Sequence, residues 1–305
     1  MPWTIALVAA AAILWGANFN LSKPVVADMH PLVAGAGRFV LAALVMWAML
    51  AWKRQRVPLF THFRAYALLG LVGIAGFNLL FFMGMQMTSA VNGALIMAIN
   101  PLLTAVLAAL FLGERLSWRQ MLALPLALAG VGVVVLGDGA QVTLSAGDAL
   151  MLGANLSWAL YNVLSKRLMP PGSGLVNTTG VMTWGAVAMV SVALTFGAPA
   201  HLPGVEAGSA LVAMAVGGSA AAYLFWNSGI ARLGAARTSL FLNLVPVSTM
   251  LIAALSGHPP SPLQLAGALV VLAAVSFAMA PLPARWRAAT FRAEAACATA
   301  SRRAE

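Results

Sequence analysis

Apolar runs of about twenty residues recur along this chain, separated by short breaks that carry its Lys, Arg, Pro and much of its Gly. A helix rises about 1.5 Å per residue, so each run is long enough to cross a hydrocarbon layer of about 30 Å. Ten such spans are predicted, at 4–26, 31–52, 64–86, 89–112, 118–136, 147–168, 175–197, 207–231, 235–256 and 262–282. With no water in a bilayer core, only helices or a closed barrel satisfy the backbone. The runs are long and lack the ten-residue alternation of barrel strands, so helices are predicted. The first span begins at about Trp3 with no basic leader and no small-residue cleavage site, so no cleaved signal peptide is expected.

The spans repeat. Trp15, Leu21, Ser22 and Lys23 recur 143 residues on as Trp158, Leu164, Ser165 and Lys166, and Gly84, Ala90 and Pro101 recur 145 residues on as Gly229, Ala235 and Pro246. Five spans separate a motif from its copy, and an odd number of crossings turns the second copy upside down. The expected fold is therefore an all-α integral membrane protein of ten transmembrane helices, arranged as two inverted-topology repeats of five. The repeats are placed at 1–140 and 147–283, joined around Gly137, Asp138 and Gly139, with a basic tail at 284–305. Inverted repeats let a carrier face either side of a membrane in turn.

Composition agrees: 62% of residues are hydrophobic, 8% are charged and the mean hydropathy is +0.92, against about a quarter charged in soluble domains. Cationic placement sets an expected orientation. With the N-terminus cytoplasmic, fifteen of the 17 Lys and Arg residues fall on the cytoplasmic side, Lys23 falls opposite and Arg38 lies inside the second span. Asp28, Asp138, Asp148 and Glu206 fall on the outer side. The net charge of +10 follows from this asymmetry, and no nucleic-acid partner is expected. The tail, with Trp286 and Phe291 among its arginines, reads either as an amphipathic helix on anionic headgroups or as a solvated end. Cys297 is the lone cysteine, which excludes an intramolecular disulfide.

Within the spans, glycines such as Gly70, Gly73, Gly76, Gly217 and Gly218 read as helix-packing positions. Pro101 and Pro246 occupy equivalent positions of the two repeats, and each removes a helix hydrogen bond. Matched interruptions point to a central binding site with the prolines as hinges, or to plain kinks in packed helices. Polar groups near the midplane are Asn18, Asn78, Asn100, Asn155, Tyr161, Tyr223 and Asn243, with aromatics Trp15, Phe77, Phe81, Trp158, Trp184 and Trp226 at similar depth. An unpaired amide in hydrocarbon is costly, so these side chains face one another or a wet cavity. Aromatic walls with scattered amides suit a flat, partly apolar, neutral or zwitterionic solute. Arg38 is the clear intramembrane charge; it could hold a substrate carboxylate or backbone carbonyls at a broken helix. Lys23 is long enough to snorkel outward.

Trp15-Gly16-Ala17-Asn18-Phe19 followed by Lys23, and Pro101 followed by Phe111-Leu112-Gly113-Glu114-Arg115-Leu116-Ser117, resemble the first- and fourth-helix signatures of the EamA-like branch of the drug/metabolite transporter superfamily. The resemblance covers essentially the whole chain. It implies a ten-helix carrier of the bacterial inner membrane, and among its members the chain is most similar to the YddG-type exporters of aromatic and other apolar amino acids. Pro259 stands in the second copy where Glu114 stands in the first. Inversion accounts for this, since the two helices end on opposite sides. Glu114 is read as a partner of Arg115, Arg119 or a neighbouring loop, locking a gate or forming a plain surface ion pair.

No Asp or Glu falls in the interior of a span, Asp148 standing at the very start of the sixth, and all four His residues lie in loops or at span ends, so an uncoupled facilitator is expected rather than a proton-coupled pump. A cavity without a cationic cluster disfavours nucleotide-sugar cargo. No Walker loop, HExxH, GxSxG or carboxylate pair occurs, so neither ATP hydrolysis nor an enzyme active site, cofactor or metal is expected. No ring of like charges marks a channel. The expected function is alternating-access export of amino acids and related small metabolites, with a multidrug or lipophilic-metabolite exporter as the alternative. The partners are a small-molecule substrate and the lipid bilayer, with a monomer as a plausible unit.

Overall fold

A computed structural model describes residues 2–88, 90–136, 145–255, 257 and 259–280. The basic tail 284–305 and the joint at Gly137, Asp138 and Gly139 lie outside the described residues. Ten membrane-length helical spans run through it: α1 Pro2–Asp28, α2 Pro31–Trp52, α3 Phe63–Met85, α4 (Ala90–Ala98 and Asn100–Leu112), α5 Trp118–Leu136, α6 Gly147–Leu168, α7 Gly174–Thr195, α8 Val205–Leu233, α9 Ala235–Leu255 and α10 Pro262–Met279. Nine of these carry windows apolar enough to cross a bilayer by composition. The other is α6, whose Asn155, Trp158, Tyr161, Asn162 and Ser165 are buried within the bundle. It is polar because it faces protein.

Local signals set the helix starts. Pro31 opens α2, where the His30 Nδ1 accepts from the Leu32 amide at 3.3 Å. Ser261 and Gln264 form a capping box around Pro262 at the start of α10. Both devices satisfy amides that a helix start leaves without partners.

The most extensive helix packings join one half to the other. α5 packs on α10 and α2 on α7; α1 lies against α8 and α9, while its copy α6 lies against α3 and α4. Where α5 crosses α10, a Cβ on Gly130 would come within 3.0 Å of the Gly267 carbonyl, and one on Gly267 within 2.8 Å of the Gly130 carbonyl. Paired glycines let the two backbones touch, the packing mode that replaces the hydrophobic force inside a bilayer.

Four spans depart from α-helix, and they form two symmetry-related pairs. α3 contains a π-helical segment at Leu71–Gly76 and α8 one at Met214–Ala221. α4 breaks at Ile99, and α9 passes through a 3₁₀ turn at Leu240–Asn243. Pro101 and Pro246 sit in the first turns of the segments that resume after those breaks. Neither donates an N–H to the carbonyl four residues back, which belongs to Met97 and Leu242 respectively.

A contact outside the membrane ties the first half to the second. The His201 ring lies 2.7 Å (Nε2) from the Asp28 carbonyl and 3.0 Å (Nδ1) from that of Leu202, and the Asp28 carboxylate accepts from the Gly204 amide at 2.8 Å. Two carbonyl acceptors require both ring nitrogens to be protonated, and these bonds, to Leu202 first and then Asp28, raise the His201 pKa above 6.5. A raised folded-state pKa means the tie is complete below the unfolded value and weakens as pH rises through the folded one. Hydrogen exchange of the segment around 198–204, corrected for intrinsic rates, is expected to speed up as pH rises from 6.5, the ordinary histidine value, through the raised folded value. In His201→Gln that pH dependence is expected to vanish.

Candidate functional site

A cavity of about 910 Å³ lies between the halves. Its walls come from α1 (Trp15, Asn18), α2 (Arg38, Phe39), α3 (Phe77, Asn78, Phe81), α6 (Trp158), α8 (Met214, Tyr223) and α9 (Asn243, Pro246). It reaches the end of the bundle marked by Gln86, Pro259, Pro260 and Gln264. Among the described residues, none that lines it comes from the opposite end.

Its floor is aromatic. Trp15 lies edge-on to Trp158 with ring centroids 5.3 Å apart and 4.9 Å from Trp226. Trp158 stacks on Tyr161 at 5.1 Å and meets Tyr223 edge-on at 5.6 Å. Phe77 stacks on Phe81 at 5.7 Å and lies 5.4 Å from Trp158, extending the apolar wall upward. Below the floor, the Tyr161 hydroxyl donates to Asn227 Oδ1 at 2.9 Å and the Trp226 indole to Asn162 Oδ1 at 2.8 Å. Asn162 reaches Thr104, and Thr104 donates to Asn100 Oδ1 at 3.0 Å. Asn100 in turn donates to the Asn155 carbonyl at 2.9 Å and to its side chain.

The closed end is held by Glu114. Its carboxylate accepts from the amides of Ala235 at 3.0 Å and Ala236 at 3.1 Å, joining the end of α4 to the start of α9. Lys166 adds a bond to the Ala231 carbonyl at 2.7 Å. Pro259, the symmetry equivalent of Glu114, has no side-chain acceptor and lines the cavity mouth.

The structure thus sorts the sequence-derived candidates. Trp15, Asn18, Arg38, Phe77, Asn78, Phe81, Trp158, Tyr223, Asn243 and Pro246 line the cavity. Asn100, Asn155, Tyr161 and Trp226 lie below or beside it in interhelical bonds, and Pro101 is buried off the wall. Trp184 packs elsewhere, edge-on to Phe63 at 4.7 Å. The Glu114 carboxylate accepts from the backbone amides of Ala235 and Ala236, in the neighbouring segment that opens α9. Phe39, Met214 and Ser219 escaped the sequence reading. Ser219 follows the Gly217-Gly218 pair, which reads as packing until Gly73 and Gly218 are matched by the 145-residue offset. Among the described residues, no three His, Cys, Asp or Glu side chains cluster to hold a metal.

Comparison with known proteins follows this architecture. The profile of the EamA-like transporter family matches the chain twice, at residues 2–136 and 145–280. The chain is 40% identical over 272 residues to the Bacillus subtilis protein named uncharacterized transporter YyaM, covering 87% of this chain and 89% of the relative. It is 30% identical over 216 residues to a Streptantibioticus cattleyicolor protein named probable terminal-alkyne amino-acid exporter, covering 68% and 70%. It is 26% identical over 203 residues to an S-adenosylmethionine/S-adenosylhomocysteine transporter of Chlamydia trachomatis, covering 63% and 62%. The chain belongs to the EamA-like transporter family.

The closed end yields two expected outcomes. Glu114→Ala strips two amides of their acceptor, a loss of about 0.5–2 kcal/mol by analogy with other helix caps. Hydrogen exchange at 235–238 should accelerate by about two- to thirtyfold. Tyr161→Phe leaves the buried Asn227 oxygen without its donor, costing about 1–3 kcal/mol. It should lower the melting temperature in detergent without reshaping the cavity wall, which Tyr161 does not line.

Proposed function

We propose that this EamA-like transporter exports amino acids with aromatic or other apolar side chains, and related small metabolites, by alternating access and without ion coupling. The observation that carries the reading is the aromatic-walled cavity between the inverted halves, which reaches one end of the bundle and is closed at the other. A flat apolar side chain matches walls built from Phe77, Phe81, Trp15 and Trp158. The names of two relatives fit the same solute class: one is named a probable terminal-alkyne amino-acid exporter, and the other an S-adenosylmethionine/S-adenosylhomocysteine transporter, whose solutes carry an α-amino-acid head.

The moving parts follow from the interruptions. We assign the units 1–140 and 147–283 as the two halves, which rock about the central site. Breaks at Pro101 and Pro246 absorb the bending, and Glu114 releases α9 when the closed end opens. The asymmetry of Lys and Arg supports an orientation with both termini in the cytoplasm of a bacterial cell, in which the mouth at Gln86 and Pro260 faces outward. Among the described residues no Asp or Glu lines the cavity, which supports flux down the solute gradient without a proton carried on a membrane carboxylate.

A second reading, export of lipophilic drugs or metabolites, is favoured by volume. At about 910 Å³ the cavity lies near the top of the range of about 300–1,000 Å³ for drug-sized ligands.

Efflux of labelled phenylalanine from proteoliposomes, with no imposed ion gradient, tests the proposal. Saturable efflux blocked by unlabelled tryptophan or leucine is the expected result. Accumulation driven by a pH gradient would overturn the uncoupled mechanism. Efflux no faster than from empty liposomes, together with transport of amphiphilic cations, would favour the second reading.

A further inference from the structure

Polar side chains inside this bundle are largely consumed by its interrupted helices. Ser157, Tyr223 and Asn78 donate to the carbonyls of Val72, Gly73 and Ile74 in the π segment of α3, at 2.7, 3.2 and 2.7 Å. Trp15 donates to the Gly218 carbonyl in the π segment of α8 at 2.9 Å, and Asn155 to that of Ile96 beside the break in α4. Once these are assigned, three cavity-lining residues retain buried polar atoms without a partner among the described residues: Asn18 Oδ1, Asn243 Oδ1 and Trp158 Nε1. Their residues are 8%, 2% and 4% exposed. A native structure seldom leaves such atoms empty without a use for them.

Arg38 stands in the same cavity. Its Nε donates to the Ser219 hydroxyl at 2.7 Å and its Nη2 to the Gly218 carbonyl at 3.3 Å, which fixes the guanidinium plane. A guanidinium carries five N–H donors, so three remain. Asn18 lies against the same residue, because a Cβ on Gly218 would collide with its side chain. Arg38 and Lys23 line the cavity, and among the described residues no Asp or Glu does. Lys23 is exposed at the mouth, where water solvates it, whereas Arg38 is half-buried in the wall, with no anion against it among the described residues. A half-buried guanidinium with three N–H groups left over, set in a largely apolar wall, is suited to an anionic group of the solute.

We propose that Arg38 and the Trp158 indole N–H hold the solute's carboxylate while the amide oxygens of Asn18 and Asn243 accept its ammonium group. The cavity thereby selects an α-amino-acid head and leaves the side chain to the Phe77 and Phe81 wall. This rests on the amino-acid reading above and deepens it: the free carboxylate is the required group, and a lipophilic amine lacking one meets only cations and amides.

Three ligands sharing a phenyl ring separate the contacts: L-phenylalanine, 3-phenylpropanoate, which lacks the ammonium, and phenethylamine, which lacks the carboxylate. Binding to the purified full chain is measured by calorimetry, with folding checked by melting temperature. Phenylalanine is expected to bind about tenfold or more tighter than phenethylamine. Arg38→Gln is expected to weaken phenylalanine and 3-phenylpropanoate by about ten- to a hundredfold, with partial recovery in Arg38→Lys. Asn18→Asp supplies the missing anion and is expected to improve phenethylamine binding, a gain that a merely structural role would not produce. Phenethylamine binding as tightly as phenylalanine, or wild-type affinity for phenylalanine in Arg38→Gln, overturns the head-group assignment while leaving amino-acid export standing. Failure of the wild-type chain to bind or move any amino acid, with transport of an uncharged metabolite, overturns both.

Discussion

A backbone that leaves the α-helical ladder inside a bilayer must find new partners for its amides and carbonyls, because no water is there to take them. This chain departs from the ladder in α3, α4, α8 and α9. The rest of its interior is organised around repairing those departures. Tyr223 of α8 reaches the π segment of α3, and Trp15 and Arg38 of the first half reach the π segment of α8. Each half thus supplies the donors for the other half's irregular backbone. The donors that do so double as the cavity wall, which ties the geometry of the site to the geometry of the breaks.

Duplication gives the molecule its near-symmetry, and a few substitutions give it direction. Asn18 and Tyr161 are equivalent positions, and each occupies the space opened by an equivalent glycine: Gly218 for Asn18 and Gly73 for Tyr161. One is a carboxamide lining the cavity, the other a phenol whose hydroxyl is bonded below the floor. Glu114 and Pro259 divide the two ends in the same way. The carboxylate clasps two amides at the closed end, while the proline borders the mouth. A strictly symmetric chain would have no reason to rest with one end shut.

The spans were legible because bilayer thickness acts on composition alone, residue by residue. So were the interruptions at Pro101 and Pro246, since a missing N–H is a local fact. The π segments were not, because Gly73 and Gly218 carry no signal that separates close packing from a wound-out turn. Nor was the destination of each amide. Asn100 and Asn18 look alike in sequence, yet one is bonded to Asn155 and the other faces the cavity. That distinction depends on contacts between residues far apart in the chain. Glu114 makes the same point, since its acceptor role is set by amides 121 and 122 residues downstream.

The interlocking of the halves bears on how the protein is made. α1 is synthesised before the other described helices, yet its packing partners are α8 and α9. Trp15 finds its acceptor 203 residues later, and Asn20 finds the Thr249 carbonyl 229 residues later. At roughly 5–20 residues per second, α1 waits about 10–40 s in lipid for the backbone it will repair. For that interval its indole and amides are as costly to hydrocarbon as any unpaired polar group. The nascent first half is therefore a client for whatever shelters polar helices at the insertion site, and its fold is sealed only once the second half arrives.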